Sequence, residues 1–170
     1  MRSVLIQMCE KYRKLVNEVQ YIHRLVAFDG HHGLDHDLMV AQYGYLIAGD
    51  ARTSELAWVA GLMHSIDRLI SLISKQDVQT FLDGFINCLP DSISSEEIEL
   101  IVEALGEHSK LNDPDDNPVT VALKDADRLA NLGFLNLIRG GQQRPNLHPL
   151  LWVFMTDCTQ SQLLKILSHA

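Results

Sequence analysis

A chain of 170 residues with formal charge −8, from 14 basic and 22 acidic side chains, is long enough to bury roughly 70% of its unfolded surface in one domain, with no need of cross-links or a structural metal. The acidic balance disfavours unspecific contact with a nucleic-acid polymer or an anionic membrane, and leaves open a nucleotide in a local basic pocket. Cys9, Cys88 and Cys158 are odd in number and widely spaced, which points to a reducing, cytoplasmic setting and to neither a disulfide framework nor a cysteine zinc site. The opening MRSVLIQMCEKYRK meets charge after a short apolar run. No stretch approaches the ~18 apolar residues of a membrane span, so neither export nor insertion is expected.

Helical periodicity runs through the chain, with neither an alternating strand pattern nor an internal repeat. The expected fold class is all-α: a compact single-domain helical bundle of about six to seven helices over residues 1–170. Leu5, Met8, Tyr12, Leu15, Val19, Ile22 and Val26 recur at helical steps and predict a first helix over 4–26, stopped by Phe28-Asp29-Gly30. A second is expected over 35–48. The third, over 54–72, is apolar on nearly all sides and carries the small residues Ala57, Ala60 and Gly61 on the face that continues to His64. Such a helix belongs at the centre, closely approached by its neighbours. A fourth helix over 77–88 is closed by Pro90, and Ser94 with Glu97 forms a capping box that opens a fifth, reaching about Glu107. After the loop Asn112-Asp113-Pro114-Asp115-Asp116, Asn117 as N-cap and Pro118 in the first turn open a sixth helix to about residue 138, ended by Gly140-Gly141. A last helix over 149–167 contains Trp152 and Phe154, which could serve the core or a homodimer contact.

Chemistry concentrates on the inner faces of these helices. His36 shares a face with Met39, Val40, Tyr43 and Ile47; His108 is in register with Ile98, Ile101 and Leu105; Asp127 is in register with Leu123, Ala130 and Phe134. A carboxylate on a buried face must be paired, hydrogen-bonded or bound to a cation. Asp125 lies about 200° away around the helix, so Asp127 is the inward one. Ligands drawn from separate helices and converging inside a bundle leave this kind of trace. The plain alternatives are a core histidine bonded to a carbonyl, for His108 above all, and a salt bridge to an arginine for Asp127. His31 and His32 stand in a glycine-flanked turn where either could touch substrate, whereas His23, His148 and His169 have no partner pattern and are expected at the surface.

The segments GHHGLDHDLMV, AGLMHSID and KDADRLANLG, in this order over about residues 30–140, resemble the HD superfamily of metal-dependent phosphohydrolases. The resemblance implies a compact helical bundle in which His36, His64 and Asp127 hold a divalent ion, Mn²⁺ or Mg²⁺, that activates water against a phosphate ester. A nucleotide or related small molecule is the substrate class so implied. Two positions depart from the family: Ser65 stands where the doublet aspartate belongs, and Met39 replaces an arginine. A neutral hydroxyl is a poor substitute for a carboxylate toward a hard cation. Compensation could come from Asp67, one turn from His64 and the preferred catalytic base, although its offset moves the carboxylate about 4.5 Å along the axis. Asp35 and Asp37 beside His36 are further sources, and His108 could complete the shifted site. Lys110, Arg68 and Arg128 are the nearby cations for phosphate oxygens, with Lys110, Arg128 and His32 the expected substrate contacts. The other reading is a degenerate HD domain that binds a nucleotide or a protein without turnover; a purely structural module ranks behind both.

Overall fold

In one helix every residue from Leu56 to Met63 is buried, together with Ser54. A helix covered all round has to be the axis of its bundle. The structure, a computed structural model, describes residues 2–25, 33–66, 68 and 78–131. It consists of α1 (Arg2–Lys11), α2 (Arg13–Leu25), α3 (Leu34–Ile47), α4 (Ala51–Met63), α5 (Val78–Ile86), α6 (Ser95–Glu107) and α7 (Pro118–Ala130). All regular structure among the described residues is helical, as expected, and α4 is the central helix, packed on α3, α7 and α6. No described helix is long and apolar enough to cross a membrane.

The small residues noted on α4 explain how closely α3 approaches. A Cβ built on Gly61 would lie 2.6 Å from Ala41 Cα and 2.7 Å from Ala41 N, and one on Gly44 would lie 3.1 Å from Ala57 O. The two backbones therefore meet at contact distance, which only glycine and alanine permit. On α3 the inward stripe is His36, Asp37, Val40, Ala41 and Gly44. The expected face was centred one residue away, and Ile47, placed inward by periodicity, is 41% exposed. The crossing at Ala41 and Gly44 sets the rotation of α3, and bulkier Met39 and Tyr43 are left at the margin of the core.

Local signals account for most boundaries. Ser94 and Glu97 form the reciprocal capping box at the start of α6, and Asn117 accepts from Thr120 N at 2.9 Å to open α7. Asp50 caps α4 through Arg52 N and Thr53 N at 2.9 and 3.0 Å, so that helix starts before the expected Ser54. The single helix expected over 4–26 is two, divided at Tyr12, although Tyr12 N still bonds Met8 O and Val16 N bonds Tyr12 O, both at 2.9 Å. Its stripe of Met8, Tyr12, Leu15, Val19 and Ile22 is buried as the spacing predicts. Helix α4 closes at Met63, with His64 as C-cap. Helix α7 likewise closes at Ala130, with Asn131 as C-cap, so both helices end short of the expected 72 and 138; the last helix expected over 149–167 lies outside the described residues.

The N-terminal end of α4 is tied down by charge. Arg52 donates to both Glu97 oxygens at 2.5 Å, to Glu55 at 2.9 Å and to Ser92 O at 2.7 Å. Glu55 also takes hydrogen bonds from Lys11 and the Tyr12 hydroxyl. The Glu97 carboxyl is held down to about 2, first by the Arg52 hydrogen bonds. Two glycines provide opposite tests of this packing. Gly61→Ala should lower stability by about 1–3 kcal/mol through overpacking, despite the usual helical gain. Gly106→Ala, whose added Cβ meets nothing within 4 Å, should raise it by about 0.5–1 kcal/mol. Urea midpoints of the two variants moving in the same direction would contradict the tight crossing.

Candidate metal centre

Four helix ends converge beyond the α3/α4 crossing. His36 comes from the first turn of α3, His64 caps the C-terminus of α4, His108 caps the C-terminus of α6, and Asp127 lies in the last turn of α7. The two caps share a local cause. The last carbonyls of a helix lack intrahelical donors, and His64 Nδ1 donates to Gly61 O at 2.7 Å while His108 Nδ1 donates to Leu105 O at 2.8 Å. A carbonyl can only accept, so the proton of each neutral ring sits on Nδ1 and the lone pair on Nε2. That tautomer is the one a metal-binding imidazole needs.

The ligand atoms are close. His36 Nε2 lies 3.2 Å from Asp127 Oδ1, His64 Nε2 lies 3.8 Å from the same oxygen, and ligand atoms of the three residues all fall within 4.8 Å of one another. The His36 and His64 rings meet edge to face at 5.1 Å, and the His64 and His108 rings do so at 5.7 Å. Bonds of about 2.0–2.2 Å to one ion place neighbouring donors about 3–3.5 Å apart, so the group fits an ion after a small contraction. Two imidazoles and one carboxylate favour Mn²⁺ or Zn²⁺ over Mg²⁺, which prefers oxygen.

Burial shapes the electrostatics. It pushes the His64 imidazole below its usual value, although Asp37 and Asp127 pull the other way. For Asp127 burial raises the carboxyl, but the His36 hydrogen bond and the neighbouring imidazoles outweigh it and leave the group below the ordinary carboxylate range. Asn131 Nδ2 donates to Asp127 Oδ1 at 3.0 Å and to its own-turn carbonyl Asp127 O at 2.9 Å, which fixes the carboxylate.

His36, His64, His108 and Asp127 are thus brought together, while Asp125 turns away to Arg128 and Asn112. Asp67 and His32 lie outside the described residues. Lys110 is exposed and paired with Glu107 at 2.7 Å. Arg128 reaches Asn112, Asp125 and Lys110 O, and buried Lys124 holds Asp116 and Leu111 O, so both cations pin the loop before α7. Two further residues enter the site. Asp37 is fully buried, and His23, expected at the surface, is held 2.7 Å from Asp37 Oδ2 with its side chain 10% exposed. The readable signal was that His23 is four residues after Val19 on the buried edge of α2. Asn131, four residues after Asp127, carried the same kind of signal.

Compared with family models, curated proteins and solved structures, the chain matches none.

The lowered His64 value has a defined pH consequence. The unfolded ring protonates below about pH 6.5, whereas the folded ring does so only at lower pH. Stability present above that value is therefore lost as pH falls. Asp127, also lowered, adds a loss only below about pH 4. From about pH 7.5 to about pH 5.5 the urea-derived stability should drop, and His64→Gln should flatten the drop by about 1 kcal/mol. An unchanged slope in that variant would show that His64 is not the proton-excluding group.

Proposed function

We propose that this chain is a metal-dependent phosphohydrolase of the HD type, acting on a small phosphorylated molecule such as a nucleotide. The supporting observation is the convergence of His36 Nε2, His64 Nε2 and Asp127 Oδ1, with the His64 tautomer already set for coordination. A divalent ion held by these three residues supplies a Lewis acid for a phosphoryl oxygen and a low-pKa water. The chain supplies the rest. Asn131 orients Asp127. His108, fixed through Nδ1, turns Nε2 toward proton transfer with the leaving or attacking oxygen. Exposed Lys110 meets a phosphate oxygen, and Arg128 holds the Lys110 backbone in place. Asp67 is the proposed base and His32 a further substrate contact.

The second reading is a non-catalytic HD-type module that binds a nucleotide or a protein. It is favoured by one observation, the serine hydroxyl of Ser65 where the resemblance calls for a carboxylate.

Elemental analysis of protein purified without chelator or histidine tag tests the centre. Near-stoichiometric metal is expected, lost in both His36→Ala and Asp127→Ala. For metal-stripped protein, Mn²⁺ at about a hundred times its Kd should add about 2.7 kcal/mol, a Tm rise of roughly 5–10 °C. Metal retained in both variants, or no uptake by the native chain, refutes the centre. Mn²⁺-dependent phosphate release from nucleotides supports the hydrolase, and saturable nucleotide binding without release supports the second reading.

A further inference from the structure

Asp37 is 0% exposed, yet its carboxylate belongs to none of the three ligand positions. An ionised group so placed is costly unless its oxygens are satisfied. Ser65 Oγ donates to Asp37 Oδ1 at 2.6 Å, His23 Nε2 lies 2.7 Å from Asp37 Oδ2, and His64 Nδ1 is 3.5 Å from Oδ1. The same Ser65 oxygen lies 3.2 Å from His64 Nε2. Proton accounting gives this geometry its meaning. A hydroxyl has one proton, and the carboxylate at the shorter distance takes it. The ring proton of His64 is committed to Gly61 O. What faces His64 Nε2 is therefore a lone pair of Ser65, polarised by Asp37, and Asp127 Oδ1 lies 3.8 Å from the same nitrogen. Two donors 3.2 Å apart can share one ion, because bonds of about 2.0–2.2 Å span that separation.

We propose that Ser65 Oγ is a fourth protein donor of the metal centre and that Asp37 supplies its charge. This inference rests on the metal-centre reading. The carboxylate missing at position 65 is then divided between two residues: the oxygen comes from Ser65 on the turn after α4, and the negative charge from Asp37 on α3, one hydrogen bond away. The ligand class is a divalent transition ion. His23 anchors the far oxygen of Asp37 and makes α2 part of the centre.

The test is Mn²⁺ affinity, read as free Mn²⁺ by electron paramagnetic resonance, on the full chain and a set of variants checked for folding by circular dichroism. Ser65→Ala, a small change that leaves His23 on Asp37, should lose at least about tenfold in affinity, and Asp37→Asn a similar factor. Because the two act through one hydrogen bond, Ser65→Ala/Asp37→Asn should be no weaker than the weaker single variant. Ser65→Asp/Asp37→Asn places a carboxylate at position 65 directly and should return to within about threefold of the native affinity, which a merely structural role for Asp37 would not produce. Native-like affinity in Ser65→Ala, losses that multiply, or absence of rescue overturns the proposal while His36→Ala and Asp127→Ala still abolish binding. A native chain that binds no Mn²⁺ overturns both the centre and this assignment.

Discussion

The close approach of α3 and α4 at Ala41 and Gly61 is the constraint on which the rest of the structure depends. A side chain at residue 61 would sit 2.6 Å from Ala41 Cα, so the contact exists only because that side chain is absent. His36 and Asp37 lie about one turn before Ala41, and His64 and Ser65 about one turn after Gly61, so both pairs are within roughly 6–8 Å of the crossing along their axes. The register fixed there carries Asp37 to the Ser65 hydroxyl at 2.6 Å. Gly61 contributes twice, since its carbonyl also accepts the His64 Nδ1 proton. The packing and the tautomer of His64 are thus set by the same residue.

Helix α4 separates two kinds of electrostatics by its length, about 20 Å. At its N-terminal end, Arg52, Glu97, Glu55 and Lys11 form a partly exposed network, where charge is well solvated and screening limits its worth. At its C-terminal end the groups are buried and each needs a specific partner. The Lys124–Asp116 pair, 1% and 5% exposed in its side chains, is a third site of buried charge, and it positions the loop that leads into α7. Removing one partner there would leave an uncompensated ion in the core, the expensive half of any buried pair.

Much of this was legible in the sequence because the signals are local or periodic. The capping box at Ser94 and Glu97, the Asn117-Pro118 start and the small residues of α4 each act through neighbours in the chain. The inward placement of Asp127 followed from helical geometry alone. The rotation of α3 was not legible, because periodicity ranks Ile47 and Tyr43 above Ala41 and Gly44 by apolar size, whereas the crossing selects the smallest residues. The burial of Asp37 and His23 was hidden for a related reason. His23 was expected at the surface and Asp37 only as a spare carboxylate beside His36, and their 2.7 Å contact spans two helices whose relation no local pattern encodes. Asp50 was passed over as a cap because the apolar run of α4 begins several residues later.

The composition of the converging helix ends bears on what the core is for. Neighbouring positions, Met63, Ile66, Ala126 and Ala130, are buried apolar residues, so the fold accepts hydrocarbon immediately beside His36, His64, Ser65 and Asp37. Buried ionic groups are generally neutral or costly to stability compared with apolar residues of similar volume. A bundle selected for stability alone would extend the apolar packing through these positions. Here instead three imidazoles, a hydroxyl and two carboxylates are held on fixed partners, with the proton of His64 turned away from the common space and its lone pair turned into it. The arrangement keeps these polar groups buried at a cost to the core, and the centre proposed above would account for that cost.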